Sequence, residues 1–346
     1  MMTPEASQST PLWVRLRPIA LALFVVVSCT PKAPSRDGFE EAEAVANQMN
    51  GENLMPWIED LVEGHLSDPK LPCDGFEVEP MYPACELSRD SAMVFVEGQL
   101  AAFGYAPERL VLEGEPLTAT NIVAELPGAT LPEEVVLLGA HFDAFHGGAD
   151  DNSSGVAVML EAARVFATRR TKRTVRFIGF DLEEFGLLGS HRYVERGYAD
   201  DVICAIILDT IAFASNRKNS QDAVTGLPMG EDDEVGDFIA VVGNQRALNP
   251  LQRLTALNHA FEFVELKTVV AGGDGVYPIT GQLMRSDHGA FWLRGKSAMM
   301  FTDSANFRNP NYHQETDTPE TLDPEFLEDV ARLVIATVAL LAGAEP

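Results

Sequence analysis

Three apolar, β-branched runs constrain this chain more than any other feature: residues 135–139, 174–180 and 202–208 each read as a buried strand. Helix-prone stretches at 153–168 and 185–197 separate them. Apolar strands alternating with helices predict a largely parallel sheet, because only a sheet covered on both faces keeps such strands out of water. The expected fold class is therefore α/β, one domain with a mostly parallel central sheet flanked by helices on both faces.

Further elements fit this plan. Residues 40–66 read as a first helix, and 88–103 as an amphipathic helix with Ser88 or Asp90 as N-cap and Gly104 as its stop. Residues 121–126 and 134–139 read as two adjacent strands, 244–261 and 324–341 as helices, and 298–301 as a short strand. The acidic, Asn- and Gly-rich stretch 212–237 reads as a surface insertion that could shape or cover a cleft. Nothing repeats at a fixed period, which excludes a solenoid or propeller.

The leader stands apart. Arg15 and Arg17 precede an apolar run at 19–27 that ends at Ser28-Cys29, too short to span a bilayer but of the length of a signal-peptide core. The run Val26-Val27-Ser28-Cys29 resembles the lipobox of bacterial lipoproteins, in which the signal is cut before the Cys that then carries the lipid. The expected organisation is a signal peptide over 1–28, a tether over 29–38 and one α/β domain over 39–346, with its core from about 88. Export to the cell envelope follows, with membrane contact only through a lipid on Cys29; a plain secretory signal is the alternative. Cys73 and Cys85 flank a Pro-containing loop and could pair in an oxidising compartment, whereas Cys204 lies in an apolar run and reads as a buried thiol. With 52 acidic against 25 basic residues, a net charge near −27 argues against nucleic acid as a partner.

The strand ends carry the chemistry. In open α/β sheets ligands sit beyond the carboxyl ends of the strands. The first run leads into His141-Phe142-Asp143, the second into Asp181-Leu182-Glu183-Glu184, and the third into Asp209. Asp150 and Asp151 lie in a Gly-rich turn just before the helix at 153. One acid at a strand end is a turn residue or a cap; acids and an imidazole converging from three strand ends and a turn are what a catalytic zinc needs.

These segments are similar to the M28 family of zinc peptidases. The resemblance rests on 139–143 (Gly-Ala-His-Phe-Asp), 148–155 (Gly-Ala-Asp-Asp-Asn-Ser-Ser-Gly), 183–190 (Glu-Glu-Phe-Gly-Leu-Leu-Gly-Ser), Leu208-Asp209, Ser286-Asp287-His288 and 311–318 (Asn-Tyr-His-Gln-Glu-Thr-Asp-Thr), in the family's order. It implies an exopeptidase acting on peptides through two Zn2+ ions bridged by Asp151. His141 and Asp209 would complete one site, Glu184 and His313 the other, and Glu183 would be the general base. It also implies a cis peptide bond at Asp151-Asn152. A departure is Thr210-Ile211 after Asp209, where many relatives have a Met and small residues.

The residues support these roles physically. Two successive acids on an extended segment face different ways, so one of Glu183 and Glu184 can ligate while the other reaches the water. Asp143, two residues beyond His141, lies on the same side of an extended chain and could orient that imidazole. Tyr312 could donate its hydroxyl to an oxyanion or simply pack on the pocket wall. His65 and His259 read as surface or helix residues, His146 as a turn residue and His191 as exposed; His288 reads as support for the substrate pocket. An aminopeptidase is the leading reading. The alternatives are a carboxypeptidase gripping the substrate carboxylate through Arg285, Arg294 or Arg308, a one-zinc glutaminyl cyclase, or a non-catalytic binding domain with the same fold.

Overall fold

β3 (Leu131–His141) is the strand on which the fold turns, apolar on both faces from Val135 onward. Val136, Leu138 and Ala140 enter one core cluster, while Val135 and Leu137 enter the other. Such alternation into two apolar layers is what a doubly covered sheet demands. A computed structural model provides the coordinates and describes residues 35–67, 82–225, 234–272 and 278–345. The leader and the proposed Cys73–Cys85 pairing lie outside the described residues and side chains.

Three strands join β3 in its sheet neighbourhood: β2 (Ala119–Leu126), β4 (Arg173–Phe180) and β5 (Val202–Leu208). With β1 (Glu108–Leu112), β6 (Ile239–Asn244), β7 (Leu266–Ala271) and β8 (Ala298–Thr302) they form an eight-stranded sheet, ordered β1-β2-β4-β3-β5-β8-β6-β7. The pairs β3–β4, β3–β5, β5–β8 and β6–β7 are parallel; β1–β2, β2–β4 and β6–β8 are antiparallel. The strands at 121–126 and 134–139 thus both exist but are not neighbours, because β4 inserts between them. β1, β6 and β7 add to the expected set.

Helices cover both faces. On one lie α1 (Phe39–Ala46), α2 (Leu54–Leu66), α3 (Tyr82–Ala102), α4 (Gly155–Phe166), α6 (Leu248–Phe261) and α8 (Pro324–Ala342). On the other lie α5 (Leu188–Glu195) and α7 (His288–Leu293). α8 is nearly all buried; Asp323 caps it by accepting from the Phe326 N–H at 3.1 Å, and Gly343 ends it at φ +67°. That positive φ is where glycine has least strain.

Several local expectations are corrected. The single helix over 40–66 is broken between α1 and α2, because Glu161 is fully buried and draws the chain aside. Its carboxylate accepts from the Asn50 N–H at 2.6 Å and from Asn53 Nδ2 at 2.9 Å. The helix predicted from 88 begins at Tyr82, so Ser88 is no cap; its hydroxyl meets His65 Nδ1 at 2.8 Å. His65 is accordingly helical but buried, and burial lowers its pKa to about 4. The helix predicted from 185 starts at Leu188, after Gly186 and Leu187 turn at positive φ. The insertion is not wholly superficial, since Gln221 and Val224 are buried.

The loop after β4 is fixed by a buried ion pair. Arg89 on α3 donates through Nε and Nη2 to the Asp181 carboxylate at 2.7 and 2.6 Å, and Thr120 N–H donates to the same carboxylate at 2.8 Å. Arg89→Ala would strand a buried charge, so it should lower unfolding free energy by about 3–5 kcal/mol. Urea denaturation of the two proteins checks this; a loss below about 1 kcal/mol, the worth of a surface pair, would contradict it.

Candidate active site

Adjacent parallel strands bring the site together. In the β4-β3-β5 register, His141 is opposite Phe180 and Ala140 is opposite Leu208. His141 therefore ends β3 beside the loop carrying Glu183 and Glu184, and beside Asp209, which directly follows β5. Asp151 comes from the turn Ala149–Ser154 ahead of α4, and His313 from the segment between β8 and α8, at φ +58°. All five proposed ligands and Glu183 converge. The Asp151-Asn152 peptide is cis, as the resemblance implied.

Asp151 stands between two imidazoles. Its Oδ1 is 3.3 Å from His141 Nε2 and its Oδ2 is 3.0 Å from His313 Nε2. Glu184 Oε2 lies 3.2 Å from His313 Nε2, and Asp209 Oδ2 lies 3.9 Å from His141 Nε2. Two groups of three result, each with ligand atoms mutually within 4.8 Å: His141, Glu183 and Asp209, and Asp151, Glu184 and His313. Glu183 thus sits close enough to the first group to share its cation.

The donor set fits zinc. His141 Nε2, Asp151 Oδ2, Glu184 Oε1 and His313 Nε2 are buried atoms without a hydrogen-bond partner among the described residues. Buried polar atoms are almost always satisfied, and mixed imidazole and carboxylate ligands suit zinc. Electrostatics agrees. In the metal-free chain burial pushes Glu183 well above the carboxylate range, with Glu184, Asp209 and Asp287 adding to the shift. Burial and Asp151 likewise raise Glu184 to about 8 and Asp209 to about 6. Burial works against charge on His313, but the Asp151 and Glu184 carboxylates close to its Nε2 lift it to about 10. Burial also opposes ionisation of Asp151, yet His141 and His313 outweigh it and hold this carboxyl below its ordinary value. Crowded carboxylates beside two imidazoles whose charged forms they favour make a site suited to a cation.

Asp143 works differently from the expectation. The His141 Nδ1 partner is the Asp143 backbone carbonyl at 2.9 Å, which leaves Nε2 facing Asp151. The Asp143 carboxylate, 3.6 Å from Nδ1, instead accepts from the Glu183 and Glu184 N–H groups at 3.0 and 3.1 Å. It therefore fixes the backbone of both glutamates as well as lying beside the imidazole.

Three supporting groups emerge only in the structure. Asp317 accepts from the Asp150 and Asp151 N–H groups at 3.0 and 3.2 Å. Asn152 Nδ2 donates to the Leu208 carbonyl at 2.8 Å, and its Oδ1 accepts from Gly155 N–H at 3.2 Å, where a Cβ on Gly155 would collide. Asp150, an acid of the same turn, faces away from the cluster and accepts from Ala212 N–H and Asn309 Nδ2 at 3.0 and 2.7 Å. Asp317 and Asn152 lie inside the segments the resemblance rests on, but residue type alone gives them no role.

Beyond Asp209 and Tyr312 a cavity of about 60 Å³ opens, floored by Val242, Met300, Leu283 and Val224. Tyr312 stacks on His313 with ring centroids 3.8 Å apart, and its hydroxyl accepts from Arg285 at 3.4 Å. Burial and the carboxylates of Asp151 and Glu184 push its phenol far above the ordinary range, so it stays a donor. Arg285 is exposed at the cavity mouth. Arg294 pairs with Glu195 at 2.6 Å, and Arg308 is buried against Gln221 and the Phe238 ring. His288 is buried, with Nε2 2.7 Å from the Leu283 carbonyl; His146 is a turn residue at φ +53°, His259 is exposed and His191 is half-buried.

Comparison with known proteins places this geometry. Residues 121–338 match the model of peptidase family M28. A probable zinc metalloprotease of Pyricularia oryzae is 29% identical over 263 residues, 67% of this chain and 51% of that protein, so the match spans about half the relative's length. The LapA aminopeptidase of Legionella pneumophila superposes with a TM-score of 0.64 at 18% identity, covering 90% of this chain and 77% of its own. The glutaminyl cyclase of Porphyromonas gingivalis superposes at 0.56 with 17% identity, covering 84% and 98%. At these identities the two superpositions show the fold.

Metal loading should release protons. With His313 raised to about 10, its imidazole is protonated at neutral pH in the metal-free chain and must lose that proton to ligate. Zinc titration at pH 7, followed by calorimetry in buffers of different ionisation enthalpy, should report net proton release on binding. Affinity should weaken as pH falls, because protons then compete for both imidazoles; a buffer-independent heat would contradict this.

Proposed function

Because the chain belongs to peptidase family M28, we propose that it is a two-zinc exopeptidase, and specifically an aminopeptidase that removes N-terminal residues from peptides. The observation that carries this reading is Asp151, with one carboxylate oxygen toward each imidazole and Glu183 grouped with His141 and Asp209. His141 and Asp209 would hold one ion, Glu184 and His313 the other, with Asp151 between. Bound zinc supplies a water acidified toward neutrality and polarisation of the scissile carbonyl. Glu183 takes the proton of the attacking water and passes it to the leaving amine. The Asp143 carboxylate keeps Glu183 aimed by holding its N–H at 3.0 Å. The Tyr312 hydroxyl, kept protonated, donates to the developing oxyanion, and the apolar cavity takes the terminal side chain. Export to the cell envelope, with a lipid on Cys29, is part of the same proposal.

A one-zinc glutaminyl cyclase has no use for five ligands and a bridging carboxylate, and a binding domain has no use for an intact base. The carboxypeptidase reading keeps one supporting feature, Arg285 at the cavity mouth. A panel of free-amine and N-blocked peptide substrates, with and without chelator, separates the two. Chelator-sensitive cleavage of free-amine substrates alone is expected; cleavage of N-blocked substrates alone would make the enzyme a carboxypeptidase.

Glu183→Gln keeps size and loses the base. It should lower kcat by about 10²–10⁴-fold while the protein retains two zinc ions per chain by metal analysis, as such a site requires. Near-normal turnover would remove Glu183 from this role.

A further inference from the structure

Among the described residues Arg285 is a cation without a carboxylate, in a chain that has 52 acids. Its Nη1 donates to Asn306 Oδ1 at 2.7 Å and Gln282 Oε1 at 3.4 Å, and its Nη2 to the Tyr312 hydroxyl at 3.4 Å. All three acceptors are neutral, and among the described residues no carboxylate comes within ion-pair distance of it. Other guanidinium groups here find acids readily: Arg89 on Asp181, Arg176 on Asp201, Arg294 on Glu195. Asp209 feels the charge of Arg285 without pairing with it.

The surroundings say which end of a substrate this cation meets. Inward from the mouth the cavity is floored by Val242, Met300, Leu283 and Val224, which offer nothing to an anionic side chain. Outward, Asn306 also lines a second cleft of about 380 Å³, where Arg217, Lys218 and Arg308 outnumber the one acid, Asp222. Lys218 lies 3.6 Å from Glu234, an exposed pair that a ligand can displace at small cost. The site is thus polarised, with acids around Asp151 and Glu184 at one end and cations on the rim leading to solvent at the other.

We propose that Arg285 binds a carboxylate carried by the residue on the leaving side of the scissile bond, so that short zwitterionic peptides, or peptides acidic at their second residue, are the preferred substrates. The inference rests on the aminopeptidase reading, since it takes the aliphatic cavity as the place of the N-terminal side chain. A planar, forked guanidinium exposed at the mouth matches a carboxylate by two parallel hydrogen bonds. The carboxylate is the C-terminal one of a dipeptide or the side chain of Asp or Glu, and both would reach the same group.

The test compares kcat/KM of the zinc-loaded enzyme on Leu-Ala, Leu-Ala-amide, Leu-Glu-amide and Leu-Gln-amide, with leucine p-nitroanilide alongside. Wild type should prefer Leu-Ala over its amide by about tenfold, the lower end for a charge-assisted hydrogen bond, chiefly through KM. A matching preference for Leu-Glu-amide over Leu-Gln-amide would show that a side-chain carboxylate also serves; its absence assigns the contact to the C-terminal carboxylate. In Arg285→Met the acid-to-amide ratio should collapse toward one, and Arg285→Lys should restore part of it. A ratio unchanged in Arg285→Met, with acid and amide falling together, would mean that Arg285 acts only through Tyr312 and would overturn the proposal. So would a wild type that cleaves acid and amide equally, which leaves the aminopeptidase reading intact. Failure to cleave any of the five, with zinc bound, would instead sink the aminopeptidase reading and this inference with it.

Discussion

The carboxylate of Asp151, held between His141 and His313, is the contact on which the rest of the site depends. It can stay there only if three chain segments keep their relative positions: the end of β3, the turn before α4 and the segment carrying His313. Hydrogen bonds tie them together. Asp317, four residues beyond His313, accepts from the Asp150 and Asp151 N–H groups. Asn152 reaches the end of β5 through the Leu208 carbonyl and accepts from Thr210 N–H. From the far side α2 presses on the same turn, Val62 and Leu66 lying against Gly147. The Asp317 and Asn152 ties use buried polar groups that are satisfied, which is the condition for such a network to rigidify rather than weaken a core.

The acids around this contact fall into two kinds. Asp151, Glu183, Glu184 and Asp209 present oxygens toward one another and gain by neutralisation from a cation. Asp150, Asp303 and Asp317 lie behind them, and burial raises all three. These latter acids are occupied by protein donors: Ala212 N–H and Asn309 on Asp150, Phe213 and Ala305 N–H on Asp303. The distinction is one of partners, not residue type, and explains how so many carboxyls share one region. The candidate ligand acids face the imidazoles and one another, while these scaffold acids already have their hydrogen bonds.

That distinction also marks what the sequence could reveal. β3, β4, β5 and α8 carried their signal in continuous apolar runs, and the ligand residues stood out because apolar strands have no packing reason to end in acids. Asp150 and Asp151, adjacent in one turn, could not be told apart by type; only the fold turns one toward the imidazoles and the other toward Asn309. β1 is largely exposed and β7 half-buried along most of its length, and edge strands of that kind carry weak patterning. β6 is as buried as β5, but it precedes a helix directly, with Asn244 both ending the strand and capping the next turn. The break between α1 and α2 depended on Glu161, over a hundred residues away, which local propensity cannot register.

Register explains why chemistry and specificity are written so differently along the chain. His141 meets its partners because β3 pairs with β4 and β5 in one alignment. A slip of one residue would send its side chain to the opposite face and its neighbour Ala140 into the site. The apolar runs therefore do more than fill the core: by burying both faces they leave one alignment that also satisfies the strand ends. The cavity beside the site is under a looser constraint. Its walls come from β6, β8 and the stretch around Val224, on the side of the sheet away from the β4-β3 pair. Changes there can reshape the pocket without moving Asp151.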